Sequence, residues 1–225
     1  LQLDALTPAR LQALAGELSA KTRVLPLTLD VRDRAAMSAA VDNLPEEFAT
    51  LRGLINNAGL ALGTDPAQSC DLDDWDTMVD TNIKGLLYST RLLLPRLIAH
   101  GAGASIVNLG SVAGKWPYPG SHVYGGTKAF VEQFSLNLRC DLQGTGVRVT
   151  NLEPGLCESE FSLVRFGGDQ ARYDKTYAGA HPIQPEDIAE TIFWIMNQPA
   201  HLNINSLEIM PVSQSWAGFA IHRES

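Results

Sequence analysis

Tyr124 and Lys128 stand four residues apart in the segment VYGGTKAF, and a helix there would set them on one face, one turn from each other. An ammonium beside a phenol favours the phenolate and draws the tyrosine pKa down from about 10. Tyr124 is therefore a candidate acid/base, since proton transfer works best from a group whose pKa is near ambient pH. Ser111 follows an apolar, strand-like run, where its hydroxyl could hold a carbonyl or alkoxide oxygen. A tyrosine and a lysine at this spacing also occur on solvated helix faces, so the rest of the chain must decide.

The elements that would position these residues alternate in type. Apolar runs at 24–29, 51–55, 105–109, 147–152 and 207–210 read as strands. Pro26 inside the first run pushes it towards a sheet edge. Leu11, Leu14, Ala15 and Leu18 fall at helical spacing after Thr7 as N-cap and Pro8 at the first helical position, and 35–44 reads as a helix with Asp33 as N-cap. Further helices are expected over 71–81, 85–99, 122–142 and 185–196. The polar segment 156–182 shows no strong period and would suit a flap over a site. Strands alternating with helices imply a doubly wound, Rossmann-like parallel sheet in a single α/β domain, with ligands beyond the carboxyl ends of its strands.

The other candidates follow those strand ends. Asp30 could accept from an adenine amine beside Val31, or simply cap the next helix. Asn57, Ala58 and Gly59 offer small residues and exposed backbone to a flat group, or an ordinary turn. Pro154 and Gly155 let the backbone approach a ring, or only punctuate a loop. Asn82, in a polar break between two helical runs, could hold a water that links Lys128 to bulk solvent. Arg165 in the flap is the best partner for a substrate carboxylate, with a solvated arginine as the alternative. Trp116 and Tyr118 could wall the same pocket.

Composition narrows the partners. A formal net charge of −8 argues against a nucleic-acid or anionic-membrane surface. No apolar run approaches the roughly 20 residues of a membrane span, and nothing at the start resembles a signal peptide. Cys70, Cys140 and Cys157 form no metal spacing, which suits reduced, structural thiols in the cytoplasm.

Taken in order and spacing, Asp30-Val31, Asn56 to Gly59, Asn82, Ser111, Tyr124 with Lys128, and Pro154-Gly155 resemble the short-chain dehydrogenase/reductase family from residue 24 onwards. The segments NNAGLALG, WPYPG, EPGL, VRF and NINSLEIMPVSQS are most similar to its bacterial NADP-dependent 3-hydroxy acid dehydrogenase branch. That branch acts on serine, allo-threonine and 3-hydroxypropionate or the matching semialdehyde, malonic semialdehyde included. The resemblance implies hydride transfer to or from a nicotinamide, with Tyr124 as acid/base, Ser111 on the reacting oxygen, and Lys128 on the ribose hydroxyls. Asn82 would hold the water through which the proton leaves. The resemblance also implies NADP as cofactor, with NAD not excluded, and a homotetramer to which residues 211–225 contribute. A broad carbonyl reductase acting on uncharged ketones, or a non-catalytic remnant of the fold, are the rival expectations.

One part of the family pattern is not found. The family opens with a strand, a Gly-rich turn that cradles the pyrophosphate, a helix and a second strand; here the first glycine is Gly16, inside an expected helix. Those strands would lie between 24–29 and 51–55, and without them the 24–29 strand has no neighbour. The expectation is a single dinucleotide-binding domain over 1–225 that is incomplete at its N-terminus.

Overall fold

The computed structural model describes residues 8–216 of the 225-residue chain. The proposed Thr7 cap and the end of the C-terminal tail lie outside the described residues. Helix α1 (Pro8–Ser19) begins with its proline at the first position, and α2 (Arg34–Asp42) is capped by Asp33, whose carboxylate accepts from the Ala36 amide. Strand β1 (Gly53–Asn56) is followed by α3 (Leu72–Val79), a π-helical turn over Asp80–Gly85, and α4 (Leu86–His100). Next come β2 (Ser105–Leu109), α5 (His122–Asp141) and β3 (Arg148–Pro154). Helices α6 (Glu160–Arg165), α7 (Gln170–Tyr177) and α8 (Pro185–Met196) precede β4 (Ser206–Ile209).

The four strands form one parallel sheet in the order β1-β2-β3-β4. Parallel strands are covered on both faces, which is why β2 is buried at every residue. Leu54, Ile106 and Val149 share a register row and pack with Leu97 of α4 and Leu138 of α5. Val107, Leu109 and Leu152 point the other way, against Ile195 of α8. One step along the first face runs a polar row. Asn56 donates to Asn108 Oδ1 at 2.8 Å and to Thr90 Oγ1 at 3.0 Å, and Asn108 donates to Ser135 Oγ at 2.9 Å. Buried amides persist there because the helices above bring hydroxyls to them.

Two expectations are corrected. Residues 24–29 form no strand; they run as extended coil, with Leu27 43% exposed. A strand exists only as part of a ladder, and among the described residues nothing pairs with this segment or with the outer edge of β1. The flap at 156–182 is partly helical. Ser159 and Asp169 cap α6 and α7 through their side chains, a local signal stronger than the missing period.

Candidate active site

Ser111 is set by two backbone approaches that only glycine permits. The turn over Val112–Gly114 lies directly on α5: a Cβ at Gly125 would stand 2.8 Å from the Ala113 carbonyl oxygen, and one at Gly114 would stand 2.9 Å from the Ala129 nitrogen. This contact brings the loop after β2 down onto the helix turn that carries Tyr124 and Lys128. Ser111, Tyr124 and Lys128 are each less than 10% exposed, at 9%, 8% and 7%. Together they line a cavity of about 600 Å³ at the carboxyl ends of β1, β2 and β3.

The Ser111 hydroxyl bonds the Tyr124 phenol and accepts from the Ala113 amide at 3.1 Å. It also donates to the Pro154 carbonyl at 3.5 Å, a length at the limit of a hydrogen bond. Burial pushes Tyr124 up to about 12, while Ser111 and the Arg165 guanidinium pull it back. Burial also lowers Lys128 to about 8. The expected lowering of the tyrosine by Lys128 is absent: the ammonium donates to the Leu109 carbonyl at 2.7 Å and lies 5.8 Å from the centre of the phenol ring. In this arrangement Tyr124 is a neutral phenol at ordinary pH, the form that gives up a proton.

Asn82 sits in the π-helical turn, a distortion frequent at functional sites, and is 2% exposed. Its Oδ1 accepts from the Leu60 amide at 2.8 Å; its Nδ2 donates to the Leu60 carbonyl at 2.8 Å and to Thr127 Oγ1 at 3.0 Å. It therefore ties the loop after β1 to α5 at the residue just before Lys128. A side chain at Gly59 would come within 3.3 Å of both Asn82 Oδ1 and Lys128 Nζ, so all three converge.

Of the remaining candidates, Asn57, Gly59, Pro154, Gly155 and Arg165 line the cavity. Asp30, Val31, Ala58 and Asn82 do not line it. Asp30 is gripped by Arg32, whose Nη2 donates to Oδ2 at 2.7 Å, and this bond holds its pKa down. Val31 packs against Gly85 instead. Trp116 does not line the cavity either. It is 41% exposed, lies tilted against Trp216 with ring centres 5.3 Å apart, and donates to Glu208 at 3.0 Å, so its indole is held outside the cavity.

Arg165 is held as a clamp. Nη1 donates to the Tyr118 hydroxyl at 2.8 Å, Nη2 to the Gly120 carbonyl at 3.2 Å, and Nε to the Gly63 carbonyl at 3.3 Å. A guanidinium has five N–H donors, so three anchors leave donors for an anion. Its carbon lies 5.7 Å from the centre of the Tyr124 ring. Phe161, which nothing in the sequence singled out, packs on Tyr124 at 5.5 Å and helps to keep water from the phenol.

Comparison with known proteins agrees with this geometry. A profile of the short chain dehydrogenase family matches residues 3–165. Sulfoacetaldehyde reductase 2 of Chromohalobacter salexigens is 60% identical over 215 residues, covering 96% of this chain and 85% of the relative. The NADP-dependent 3-hydroxy acid dehydrogenase of Salmonella typhi is 54% identical over 215 residues, covering 95% and 86%. The closed form of a serine dehydrogenase complexed with NADP⁺ superposes with a TM-score of 0.92 at 51% identity, covering 97% of this chain and 87% of that one. A fold, a site and a sequence that agree in this way identify the chain as a member of the short-chain dehydrogenase family of oxidoreductases.

Proposed function

We propose that this protein is an NADP-dependent oxidoreductase for small 3-hydroxy acids and their semialdehydes, extending to other short carbonyl compounds that carry an anionic group. The observation that carries this reading is the Arg165 guanidinium, anchored on three oxygens beside the Tyr124 ring. A fixed guanidinium matches a carboxylate or sulfonate, while a neutral ketone gains nothing from it. The relatives named for sulfoacetaldehyde, for 3-hydroxy acids and for serine share that pairing of a polar carbon centre with a nearby acid.

The cavity suits a nicotinamide cofactor, because a buried ammonium and the small residues Gly59, Pro154 and Gly155 meet at its rim. Lys128 would hold the ribose hydroxyls, Pro154-Gly155 the nicotinamide ring, Asn57 to Gly59 the adjoining sugar, and Asp30 with Val31 the adenine. When bound, the cofactor supplies or accepts the hydride. The rest falls to this chain. Ser111 holds the carbonyl oxygen, Tyr124 as phenol gives it a proton in reduction and as phenolate removes one in oxidation, and Lys128 stands next in line to restore the phenol. Asn82 holds the loop that shapes this path and a water along it. Phe161 covers the phenol, and Arg165 fixes the acid end of the substrate.

A homotetramer in the cytoplasm completes the proposal. Phe193 and Trp194, 72% and 53% exposed on α8 beside edge strand β4, offer an apolar surface to another copy. The free thiols of Cys70, Cys140 and Cys157 suit a reducing compartment. Among the described residues, no helix is long and apolar enough to cross a membrane.

The test is a steady-state panel of serine, allo-threonine, 3-hydroxypropionate, sulfoacetaldehyde and neutral alcohols and ketones, each with NADP(H) and NAD(H). The proposal expects the highest kcat/KM for anionic compounds with the phosphorylated cofactor. Equal efficiency on neutral compounds would favour a broad carbonyl reductase.

A further inference from the structure

The loop that carries Ser111 is held from below by two acids at one register of the sheet. Lys115 donates to Glu153 Oε2 on β3 at 2.6 Å and reaches Glu132 Oε1 on α5 at 3.3 Å. The next residue, Trp116, donates to Glu208 Oε2 on β4 at 3.0 Å. Glu153 and Glu208 are direct partners in the β3–β4 ladder. Ser206 also donates to Glu153, at 2.7 Å, so that carboxylate serves both strands and the loop.

Glu153 is the unusual member, since its side chain is 1% exposed while that of Lys115 is 32% exposed. A carboxylate is almost never this buried without a partner, and a buried ion pair adds little stability over a well-packed apolar pair. Stability alone is therefore a weak reason for it, and its location supplies a better one. Glu153 immediately precedes Pro154, which lines the cavity, and Lys115 closes the turn that Ser111 opens through bonds from Gly114 to Ser111 and from Lys115 to Val112. One carboxylate thus fixes two walls of the cavity, where Ser111 Oγ on one lies 3.5 Å from the Pro154 carbonyl on the other. Neither Lys115 nor Glu153 lines the cavity itself.

We infer that Lys115 and Glu153 are positioning residues: their ion pair locks the Ser111 turn to the end of β3 and so sets the Ser111 hydroxyl against Tyr124. The inference rests on the oxidoreductase reading above. A displacement of about 1 Å in such a group can cost on the order of 10²-fold in rate.

The experiment compares wild type with Lys115→Met, Lys115→Arg and the double variant Lys115→Met/Glu153→Gln, measuring kcat, KM for NADPH, and the thermal midpoint. Lys115→Met should lose between about 10-fold and 10²-fold in kcat with KM for NADPH nearly unchanged. Lys115→Arg, which keeps the charge and the donors, should recover most of the rate. The double variant removes both charges of the Lys115–Glu153 pair and leaves only the part-exposed Glu132 without Lys115, so it should regain most of the thermal midpoint without regaining kcat. Recovery of wild-type kcat in the double variant, or normal turnover by Lys115→Met, would overturn the inference. A wild type that consumes NADPH with no compound of the panel sinks the oxidoreductase reading and this inference together. An active wild type beside unaffected variants sinks the inference alone.

Discussion

The Lys128 ammonium lies 5.8 Å from the centre of the Tyr124 ring, with both side chains buried and burial moving each towards its neutral form. Burial lowers Lys128 from the ordinary 10.5 to about 8 and pushes Tyr124 up from 10.0 to about 12. Between pH 8 and 10.5 the unfolded chain keeps a proton on the lysine that the folded chain has lost, so this group makes stability rise with pH. The tyrosine acts in the opposite sense above pH 10, where the unfolded chain loses its proton first and stability falls.

Lys128→Met isolates the first effect. Across pH 8 to 10.5 the unfolding free energy of wild type should gain about 3 kcal/mol relative to the variant. Denaturant titrations of both proteins over that range measure the gap. A gap that stays constant would mean that the lysine is solvated as an ordinary surface group.

Gly125 tests the close approach that sets Ser111. In isolation, alanine would favour the helix by up to about 1 kcal/mol over glycine. Here its Cβ would stand 2.8 Å from the Ala113 carbonyl oxygen, which is backbone and cannot swing aside. Overpacking of this kind costs about 1–3 kcal/mol, so it outweighs the propensity gain. Gly125→Ala should lower the thermal midpoint and kcat together, and a stabilised, fully active variant would contradict the account.

Much of this site could be read before any coordinates, because the acting residues are local in sequence. Tyr124 and Lys128 announce themselves by helical spacing, and Ser111 by following a strand-like run whose bounds match β2 residue for residue. What stayed hidden depends on distant partners. The strand expected at 24–29 needed a neighbouring ladder that the described residues do not provide. Trp116 lay in the right loop but was captured by Glu208, 92 positions away, and Phe161 reached Tyr124 from a flap without hydrophobic period. The downward pull on Tyr124 expected of Lys128 was misjudged because spacing fixes which face a lysine occupies, not how deeply both groups are buried.

Arg165→Ala removes the fixed guanidinium while leaving Tyr118 and Tyr124 in place. KM for hydroxy acids and their semialdehydes should rise by roughly 10²-fold, as expected for loss of a charge-assisted hydrogen-bonding partner. KM for neutral alcohols should change far less. Steady-state kinetics on one substrate of each kind decide the matter, and equal changes would release Arg165 from the anion site.

The central claim is that Tyr124 moves the proton, and Tyr124→Phe is its most direct test. The ring and its contact with Phe161 survive the substitution, so NADPH binding by fluorescence titration and the thermal midpoint should stay near wild type. Turnover should drop by at least ~10²–10⁴-fold, the contribution of a general acid/base. A Tyr124→Phe protein that binds NADPH and reduces its semialdehyde substrate at a near-normal rate would contradict the account.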